Sequence, residues 1–461
     1  MIDKLEKFHF IGIGGSGMSG LAKILLEMGC KVSGSDITLS ETTDNLTKLG
    51  ANIFSSHSTN NITKETDYIV VSTAIKQDNV EIFQGKVLGI PILHRSDVLK
   101  MIIDTGKGIC VAGSHGKTTT TSMIIEILNQ AGFEPTVYIG GYLTSIDGNA
   151  KFGTGEYVVA EADESDGTFL KYQTYIAVVT NIDDDHLDFY GNFAGLTEAF
   201  FEFLCKNSLL GFKVLCIDDA QLYDMSLKFE NVITYSINQN AQYSARNINI
   251  SEIYTEADIY VNEKFLTKIE LHVPGKHNLS NGLAAFTVAH KLGIETPQIV
   301  QTLKNFSGAR RRFQYIGEVN GIRIIDDYAH HPTEIAVTLA AAKQLKPNKL
   351  WVIFQPHRYT RTRQFMEKFS EALSLADRLI LSDIFAASEE PITDIDSYQL
   401  SLRAKEKGIY VEYIKEIYDI PKILVDKLMP GDIVLTVGAG TVTKLGPIIK
   451  DLLEKRYKYG C

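Results

Sequence analysis

The feature that most constrains this chain is a glycine-rich turn between a buried strand and a helix. The turn reads Gly113-Ser114-His115-Gly116-Lys117-Thr118-Thr119. Apolar residues predict a strand over 108–112 and a helix over 122–128. Turn N–H groups, the helix dipole and the charge of Lys117 can bind phosphate, and the Thr118 hydroxyl can ligate magnesium. Val111 replaces the first glycine of the usual motif, so this is a shorter form, with a structural turn as the alternative.

Length and composition limit the number of domains and the class of protein. The chain has 461 residues, and domains of about 150 residues suggest three of them. A formal net charge of −10 disfavours general attraction to nucleic acid or anionic membranes. No run approaches the roughly 18 apolar residues that span a membrane, and the N-terminus lacks a secretory signal. Five scattered cysteines suggest neither zinc nor disulfides, so we expect a cytoplasmic protein. A monomer or a homodimer is expected as well.

A second glycine-rich turn lies near the N-terminus. A predicted strand over 8–11 leads into Gly12, Gly14 and Gly17, which satisfy G-x-G-x-x-G before a predicted helix. The next strand ends at Asp36, about 20 residues later, near the spacing expected of a ribose-binding carboxylate. Such a turn can hold any diphosphate, so a nicotinamide or flavin cofactor is one alternative.

Two more predicted strands extend this first sheet. They cover residues 68–71 and 87–93 and continue a strand–helix alternation that is typical of a parallel sheet. Ser72, Thr73 and Ala74 follow the first of them, at the sheet edge where ligands bind. A helix cap is the alternative interpretation of this short turn.

Acidic residues follow two strands that come after the phosphate loop. Strands over 157–160 and 176–180 lead into the segments 161–166 and 181–186, which together hold seven acids and His186. Acids at neighbouring strand ends suit magnesium, because that ion prefers hard oxygen ligands. Either segment alone could be a solvated loop. The pair beside a phosphate loop predicts a metal and nucleotide site.

Further candidates follow in the second half of the chain. His277, Asn278 and Asn281 are predicted on one face of a helix start, where amides could bond an adenine edge; capping by Asn278 is the alternative. A domain boundary is expected at 306–309, before the basic run 310–312.

Polar clusters also end the strands of the third predicted sheet. Strands over 322–325 and 350–354 lead into Asp327, Tyr328 and His330, and into His357, Arg358 and Arg361. Arginines beside histidines at a strand end favour anion recognition over a solvated face.

Seven motifs in order make the chain resemble the muramyl (Mur) ligases over essentially its whole length. They occupy residues 12–20, 113–120, 161–166, 181–186, 277–281, 326–332 and 354–361. The resemblance, strongest to the alanine-adding branch, implies an ATP-dependent acid–amino acid ligase that joins L-alanine to the lactyl carboxylate of UDP-N-acetylmuramate. The reaction would pass through an acyl phosphate and a tetrahedral intermediate. That would be a step of peptidoglycan synthesis, and hence of cell-wall biogenesis, cell shape and cell division.

The resemblance also implies an α/β fold of three domains. They would be a Rossmann-like UDP-substrate domain (1–105), a central P-loop ATPase-like domain with a mostly parallel sheet (106–306), and a Rossmann-like, doubly wound C-terminal domain (307–461). The last would bind the amino acid and complete the ATP site.

Roles for individual residues are implied in the same way. Catalytic roles fall to Lys117, His186, His330 and Arg358. ATP contacts fall to Gly113, Ser114, His115, Gly116, Lys117, Thr118, Thr119, His277, Asn278, Asn281, Arg312 and Asp327. Substrate contacts fall to Gly14, Gly15, Ser16, Gly17, Asp36, His57, Ser72, Thr73, Ala74, Tyr328, His357, Arg358 and Arg361. Magnesium ligands would be Thr118, Glu161 and His186.

One departure from the wider family separates its branches. Several relatives carry a carbamylated lysine about fifteen residues past the metal histidine, whereas residues 187–205 here contain no lysine and Phe201 holds that position. The alanine-adding branch shares this lack. A ligase that recycles peptides onto the same nucleotide sugar is the nearest alternative. Folate polyglutamylation, a dehydrogenase and a non-catalytic nucleotide switch each leave part of the motif set unused.

Overall fold

Three separate β-sheets organise the chain. The computed structural model describes residues 2–251, 254–273, 275–306, 308, 311–387 and 389–459. It divides into two units, residues 1–250 with 254–307, and residues 251–253 with 308–461. The first unit holds two sheets and the second holds one. The boundary expected at 306–309 falls partly on Ser307 and Ala309, and these two residues lie outside the described ones.

The first sheet has five parallel strands in the order β3-β2-β1-β4-β5. Its elements are β1 (Lys7–Ile11), α1 (Ser16–Glu27), β2 (Lys31–Ser35), α2 (Glu41–Lys48), β3 (Asn52–Phe54), β4 (Tyr68–Val71), α3 (Val80–Leu88), β5 (Ile92–His94) and α4 (Arg95–Ile103). The strand order reverses between β1 and β4. The turns that follow these two strands therefore meet at the crevice where open parallel sheets bind ligands.

The strand predicted over 87–93 is wrong in its first half. Val87 and Leu88 belong to α3, which ends at Gly89 in the left-handed conformation (φ 70°), and β5 begins only at Ile92. A short apolar run does not distinguish a strand from the last turn of a helix. Gly89, which can adopt positive φ at no steric cost, decides the boundary.

The second sheet has ten strands in the order β15-β14-β13-β12-β11-β10-β6-β9-β7-β8. Its strands are β6 (Lys107–Ala112), β7 (Thr136–Leu143), β8 (Gly148–Lys151), β9 (Tyr157–Glu161), β10 (Thr174–Val179), β11 (Asn207–Cys216), β12 (Val232–Ser236), β13 (Tyr243–Ile250), β14 (Thr255–Val261) and β15 (Lys264–Leu271). Its helices are α5 (Lys117–Gln130), α6 (Leu187–Tyr190), α7 (Phe193–Cys205), α8 (Ala220–Ser226), α9 (Lys276–Lys291) and α10 (Thr296–Asn305). Strand β6 lies between β9 and β10, and both pair with it in parallel.

The third sheet has six strands in the order β16-β17-β21-β18-β19-β20, and only the β16–β17 pair is antiparallel. Its strands are β16 (Gln314–Val319), β17 (Ile322–Asp327), β18 (Leu350–Phe354), β19 (Arg378–Leu381), β20 (Val411–Tyr413) and β21 (Ile433–Val437). Its helices are α11 (Pro332–Gln344), α12 (Tyr359–Ala372), α13 (Ser397–Glu406), α14 (Ile420–Val425) and α15 (Leu445–Tyr459). The predicted mixed α/β architecture of parallel sheets is confirmed.

Apolar strands form the interior of each unit. In the first unit, residues Ile109 to Ala112 of β6 are fully buried. In the second unit, four of the five residues of β18 are fully buried, and the fifth, Trp351, is 4% exposed. None of the helices in the described part of the chain has the length and apolar character needed to span a membrane. The cysteines at 30, 110, 205 and 216 are free thiols.

Candidate active site

The phosphate loop is closed by glycines that no other residue could replace without strain. Gly113 and Gly116 have φ of 131° and 83°, a region that residues with a Cβ rarely enter. A Cβ on Gly113 would lie 2.1 Å from Thr180 Oγ1, and one on Gly116 would lie 2.4 Å from Asn281 Oδ1. The loop therefore packs tightly between the end of β10 and helix α9.

The segment after β10 holds this loop in shape. The Asn181 side chain accepts a hydrogen bond from the His115 N–H (2.8 Å) and donates one to the His115 carbonyl (2.9 Å). The Ser114 hydroxyl accepts from the Asp183 N–H (2.8 Å), and Asp183 also reaches the His115 ring at 2.9 Å. The 181–186 segment thus braces the loop as well as supplying acids to it.

Lys117 points back across the loop. Its ammonium donates to the carbonyl of Gly113 (2.6 Å) and to the carboxylate of Glu164 (2.8 Å). Burial disfavours the charged lysine, but the carboxylates of Glu164, Asp163 and Glu161 outweigh burial and raise the pKa of Lys117. A permanent positive charge therefore stands at the phosphate loop.

Glu164 was not among the predicted site residues, although it lies in the predicted acidic segment. Its side chain is 1% exposed, and burial raises its pKa to about 7 against the opposing effect of Lys117. The ring of His186 lies 3.9 Å from the same carboxylate, and the backbone of His186 has a φ of 57°. Lys117, Glu164 and His186 therefore form one cluster. In the sequence, the signal for this cluster is limited to the charged residues that follow the strand ends.

Thr118 and Glu161 form a second cluster. The Thr118 hydroxyl donates to the Glu161 carboxylate at 3.0 Å, and the Gly140 N–H donates to Oε2 of the same group at 2.9 Å. Strand β9, next to β6 in the sheet, delivers Glu161 to the start of α5. A hydroxyl and a carboxylate this close present the hard oxygen donors that magnesium prefers.

The N-terminal turn is stabilised by Asp36. Gly12 has a φ of 76°, and the Gly14 N–H donates to Asp36 Oδ2 at 2.9 Å, while Asp36 Oδ1 accepts from the Thr38 N–H. A Cβ on Gly14 would lie 2.9 Å from that same Asp36 oxygen. In the described structure Asp36 thus shapes the turn. His57, which the resemblance assigns to the substrate together with Asp36, bonds Ser35 at 2.9 Å.

A cavity of about 350 Å³ joins these regions. It lies in the first unit and brings the predicted substrate turns of the first sheet to the acids of the second. Its walls include Gly15, Ser16, Gly17, Ser72, Thr73, Ala74, Arg95, Tyr138, Gly140, Glu161 and Asp163.

Two residues of this cavity were missed by the sequence reasoning. Arg95 follows β5 directly and lies 3.6 Å from Asp166, and the Tyr138 hydroxyl donates to the Gly17 carbonyl at 3.1 Å. A cation just after a strand is the available signal for Arg95, but the predicted strand 87–93 ends one residue before β5 does. Nothing local marks Tyr138, because its partner lies 121 positions away in the chain.

The predicted adenine segment opens helix α9, whose N-cap is Gly275 and not Asn278. Asn278 and Asn281 are buried, whereas His277 is exposed. At about 100° per residue the three positions fall within an arc of about 100°, so they lie on one side of α9, with His277 at its exposed edge.

In the second unit, aromatic and cationic side chains gather after β17 and β18. The ring of His330 lies between those of Tyr328 (centroids 5.3 Å apart) and His357 (5.8 Å). A guanidinium nitrogen of Arg361 lies 3.4 Å from His357 Nδ1. Burial, reinforced by the charges of Arg361 and Arg358, lowers the pKa of His357 to about 4. His357 is thus held neutral.

Three other predicted residues have defined positions nearby. Arg358 adopts a φ of 68°, and its N–H donates to the Phe385 carbonyl. Asp327 accepts from the N–H groups of Phe313 (2.6 Å) and Ala329 (2.7 Å), and burial raises its pKa to about 6 against the effect of Arg312. Arg312 also lies over the ring of Tyr328.

Three models of one family match the chain in succession. They are described as the Mur ligase family catalytic domain (residues 7–107), the Mur ligase middle domain (111–289) and the Mur ligase glutamate ligase domain (311–440). Together they cover most of the chain, and each model matches the residues of one of the three sheets.

Similar proteins span the same length. A UDP-N-acetylmuramate–L-alanine ligase from Desulforamulus reducens is 48% identical over 98% of this chain and 99% of its own, and one from Pelotomaculum thermopropionicum is 46% identical over all of both. The crystal structure of a UDP-N-acetylmuramate–alanine ligase from Thermotoga maritima superposes with a TM-score of 0.83 at 29% identity, covering 99% of this chain and all of that one. The chain belongs to the Mur ligase family.

Proposed function

We propose that this protein joins L-alanine to the lactyl carboxylate of UDP-N-acetylmuramate, with cleavage of ATP to ADP and phosphate. The observation that carries the proposal is the shared cavity. One wall holds the turns 15–17 and 72–74, which suit a diphosphate, and the other holds Glu161, which bonds the phosphate-loop residue Thr118. A substrate held by the first sheet can therefore present its far end to a nucleotide held by the second.

The cavity also argues against a redox cofactor on the N-terminal turn. A dinucleotide site would need a place for hydride transfer, but this cavity is lined by the carboxylates of Glu161 and Asp163, whose charges also raise the pKa of Lys117. The turn thus holds the diphosphate of a nucleotide sugar. Arg95, partly buried in the same cavity, adds a cation for that anion.

The proposed chemistry proceeds in two steps. A lactyl carboxylate oxygen attacks the γ-phosphorus of ATP, the bond to the β-phosphate oxygen breaks, and ADP leaves. The neutral amine of L-alanine then attacks the acyl carbon, and the tetrahedral intermediate loses phosphate and a proton to give the amide. Lys117 stabilises the negative charge that moves during phosphoryl transfer, by position and electrostatics.

The oxygen donors of Thr118 and Glu161 fit magnesium, and we propose His186 as a further ligand. When bound, magnesium would neutralise phosphate charge and orient the γ-phosphate. Glu164 holds Lys117 and the ring of His186 in place, at 2.8 and 3.9 Å from its carboxylate.

We assign the residues after β17 and β18 to the amino acid and the transferred phosphoryl group. This set consists of Tyr328, His330, His357, Arg358 and Arg361. We assign five other residues to ATP, namely Arg312, Asp327 and, from α9, His277, Asn278 and Asn281. A neutral His357 can accept a hydrogen bond from an amine, and arginines bind anions. The boundaries 1–105, 106–306 and 307–461 belong to this proposal.

Relatives support L-alanine as the acceptor, because the proteins that are 46 and 48% identical carry that activity in their names. A murein peptide ligase from Psychrobacter arcticus shares the fold at 24% identity. We also propose a cytoplasmic location, in keeping with the free cysteines.

Phosphate release from ATP tests the proposal directly. Purified protein with magnesium, ATP and UDP-N-acetylmuramate is given L-alanine, glycine, L-serine or the tripeptide L-alanyl-γ-D-glutamyl-diaminopimelate, each in a separate reaction. We expect release with L-alanine, and a product whose mass matches the alanyl nucleotide sugar. Release with the tripeptide alone would replace this proposal with the recycling reaction.

A further inference from the structure

The backbone of Arg358 is strained. Arg358 has a φ of 68° and a ψ of 139°, a combination that residues with a side chain rarely adopt. It stands between His357 and the first residue of α12, Tyr359. Strain of this kind persists only where the surrounding contacts hold it, and it concentrates at functional sites. The contacts that hold Arg358 therefore identify residues on which the site depends.

Phe385 holds this peptide from the neighbouring strand. Its N–H donates to the Pro356 carbonyl at 2.8 Å, and its carbonyl accepts from the Arg358 N–H at 2.9 Å. These two bonds make Phe385 the parallel bridge partner of His357. Phe385 lies just beyond the end of β19, which pairs with β18, so the two chains stay joined past their last regular pair. The backbone on both sides of His357 is thus fixed.

Side chains anchor the start of the following helix. Glu389 accepts hydrogen bonds from the Thr360 N–H (3.0 Å) and from the Thr360 hydroxyl (2.6 Å). The Arg358 carbonyl accepts from the Thr362 N–H (3.1 Å) and from the Thr362 hydroxyl (2.8 Å). Hydrogen bonds before and after Arg358 therefore oppose its relaxation to an ordinary backbone conformation.

The ring of Phe385 also orders the imidazole of His357. The two rings are stacked, with centroids 5.7 Å apart and planes that differ by 14°. The ring of His330 makes an edge contact with the same imidazole, at a centroid distance of 5.8 Å. Stacking on one face keeps water from that face, and burial is the main cause of the low pKa of His357.

A glycine makes room for the Phe385 ring. A Cβ on Gly440 would lie 2.8 Å from both Cβ and Cγ of Phe385, and 2.4 Å from Oε1 of Gln355. Gln355 is buried, and the same oxygen accepts from the Val442 N–H at 3.0 Å. The turn that follows β21 therefore seats Phe385 against the end of β18.

We infer that Phe385 is a positioning residue that sets the imidazole of His357 and the strained peptide of Arg358 for the amino acid and the transferred phosphoryl group. Its backbone fixes where these two residues stand, and its ring fixes the plane of the imidazole. A phenyl ring has no donor or acceptor to offer a polar substrate, so Phe385 acts through its two neighbours. This inference rests on the proposed function, because it takes His357 and Arg358 as parts of the site.

The pKa of His357 in the protein without substrates is the first measurement. It comes from an NMR titration of protein labelled with ¹³C-histidine, in which His357 is identified by its loss in His357→Gln. We expect Phe385→Ala to raise this pKa from about 4 toward 6.5, by at least about one unit, because water reaches the ring. Phe385→Tyr should keep it low. Every variant keeps the other charged or titratable groups near the ring, which are Arg311, His330, Arg358, Arg361 and Glu389.

Two further variants separate positioning from lost packing. Gly440→Ala should displace the Phe385 ring without changing it, and so raise the pKa of His357 as well. Phe369→Leu is the matched control, because Phe369 is fully buried and its ring contacts Phe354 and Phe365. Phe369→Leu should lower the midpoint of thermal unfolding and leave the pKa of His357 unchanged.

Steady-state kinetics are the second measurement. We expect Phe385→Ala to raise the KM for L-alanine at least about fivefold and to lower kcat at least about tenfold, while the KM for UDP-N-acetylmuramate changes less than about twofold. Phe385→Tyr should restore both values, and Phe369→Leu should change neither while it is folded. If the pKa of His357 or the KM for L-alanine stays unchanged in folded Phe385→Ala, the inference is overturned, and the ligase proposal stands as long as the natural protein forms the alanyl product. A natural protein that forms no alanyl product contradicts both.

Discussion

The ammonium of Lys117 lies 2.8 Å from the carboxylate of Glu164, with 13% and 1% of their side chains exposed. The phosphate loop and the acidic segment after β9 are thus joined by an ion pair that is almost out of water. Such a pair is sensitive to the loss of either partner, because the other charge is left buried. It is also the point where the γ-phosphate would compete for the lysine.

Lys117 should be essential for turnover. We expect Lys117→Ala to lower kcat at least about a hundredfold, because the lost charge acts most strongly in the transition state. Lys107→Ala is the control, since Lys107 begins β6 and is 42% exposed. Steady-state phosphate release measures both, with thermal unfolding to confirm that each variant is folded. Near-normal turnover in a folded Lys117→Ala protein would refute the role.

Glu161 should set the magnesium requirement. Replacing its carboxylate in Glu161→Gln removes a charged oxygen donor beside Thr118, so the half-saturating magnesium concentration should rise about tenfold or more. Glu156→Gln is the matched control. That residue lies just before the same strand and is 57% exposed in an ion pair with Lys107. A magnesium titration of activity decides the matter, and identical curves for the natural and Glu161→Gln proteins would remove Glu161 from the metal site.

Tyr138 should affect the nucleotide sugar more than ATP. Its hydroxyl bonds the Gly17 carbonyl, so Tyr138→Phe should loosen the diphosphate turn and raise the KM for UDP-N-acetylmuramate about fivefold. The KM for ATP should change little. Tyr142→Phe serves as the comparison, because the Tyr142 hydroxyl on the same strand bonds Asp147 instead. Equal changes in both KM values would indicate general loosening and count against a specific contact.

His357 should make the protein sensitive to acid. Its pKa is about 4 in the folded protein against an ordinary value of 6.5, so above pH 6.5 it is neutral in both states and contributes nothing. As pH falls from 6.5 to 4, the unfolded chain takes up the proton before the folded protein does. The free energy of unfolding therefore falls by about 1.4 kcal/mol per unit of pKa difference.

The His357→Gln variant isolates this effect. Its free energy of unfolding, from urea titrations across that pH window, should fall less steeply than that of the natural protein. The exposed His272, replaced in His272→Gln, should leave the slope nearly unchanged. Parallel curves for natural and His357→Gln proteins would show that His357 is not held neutral by the fold.

Local signals explain what the sequence predicted well. The loop 113–119 and the turn 12–17 are each specified by glycines at fixed spacing between a strand and a helix, and both lie where predicted. The acids at 161 and 181–186 follow strands that prove to be the two neighbours of β6. Neighbouring strand ends then bring these residues together.

Long-range contacts explain what was missed. Tyr138 meets Gly17 because the hairpin of β7 and β8 packs on α1, where Asn149 also donates to the Ser16 carbonyl at 2.8 Å. No local pattern encodes which hairpin covers which helix. Phe385 was passed over for the same reason, since it meets His357 across two neighbouring strand ends.

Isotope transfer can show whether the lactyl carboxylate attacks ATP before the amine of L-alanine attacks the acyl carbon. UDP-N-acetylmuramate with ¹⁸O in its lactyl carboxylate is incubated with the protein, magnesium, ATP and L-alanine, and the released phosphate is analysed by mass spectrometry. We predict one ¹⁸O atom in each phosphate and an alanyl product that has lost one. Phosphate without ¹⁸O, formed while the alanyl product accumulates, would rule out an acyl phosphate intermediate.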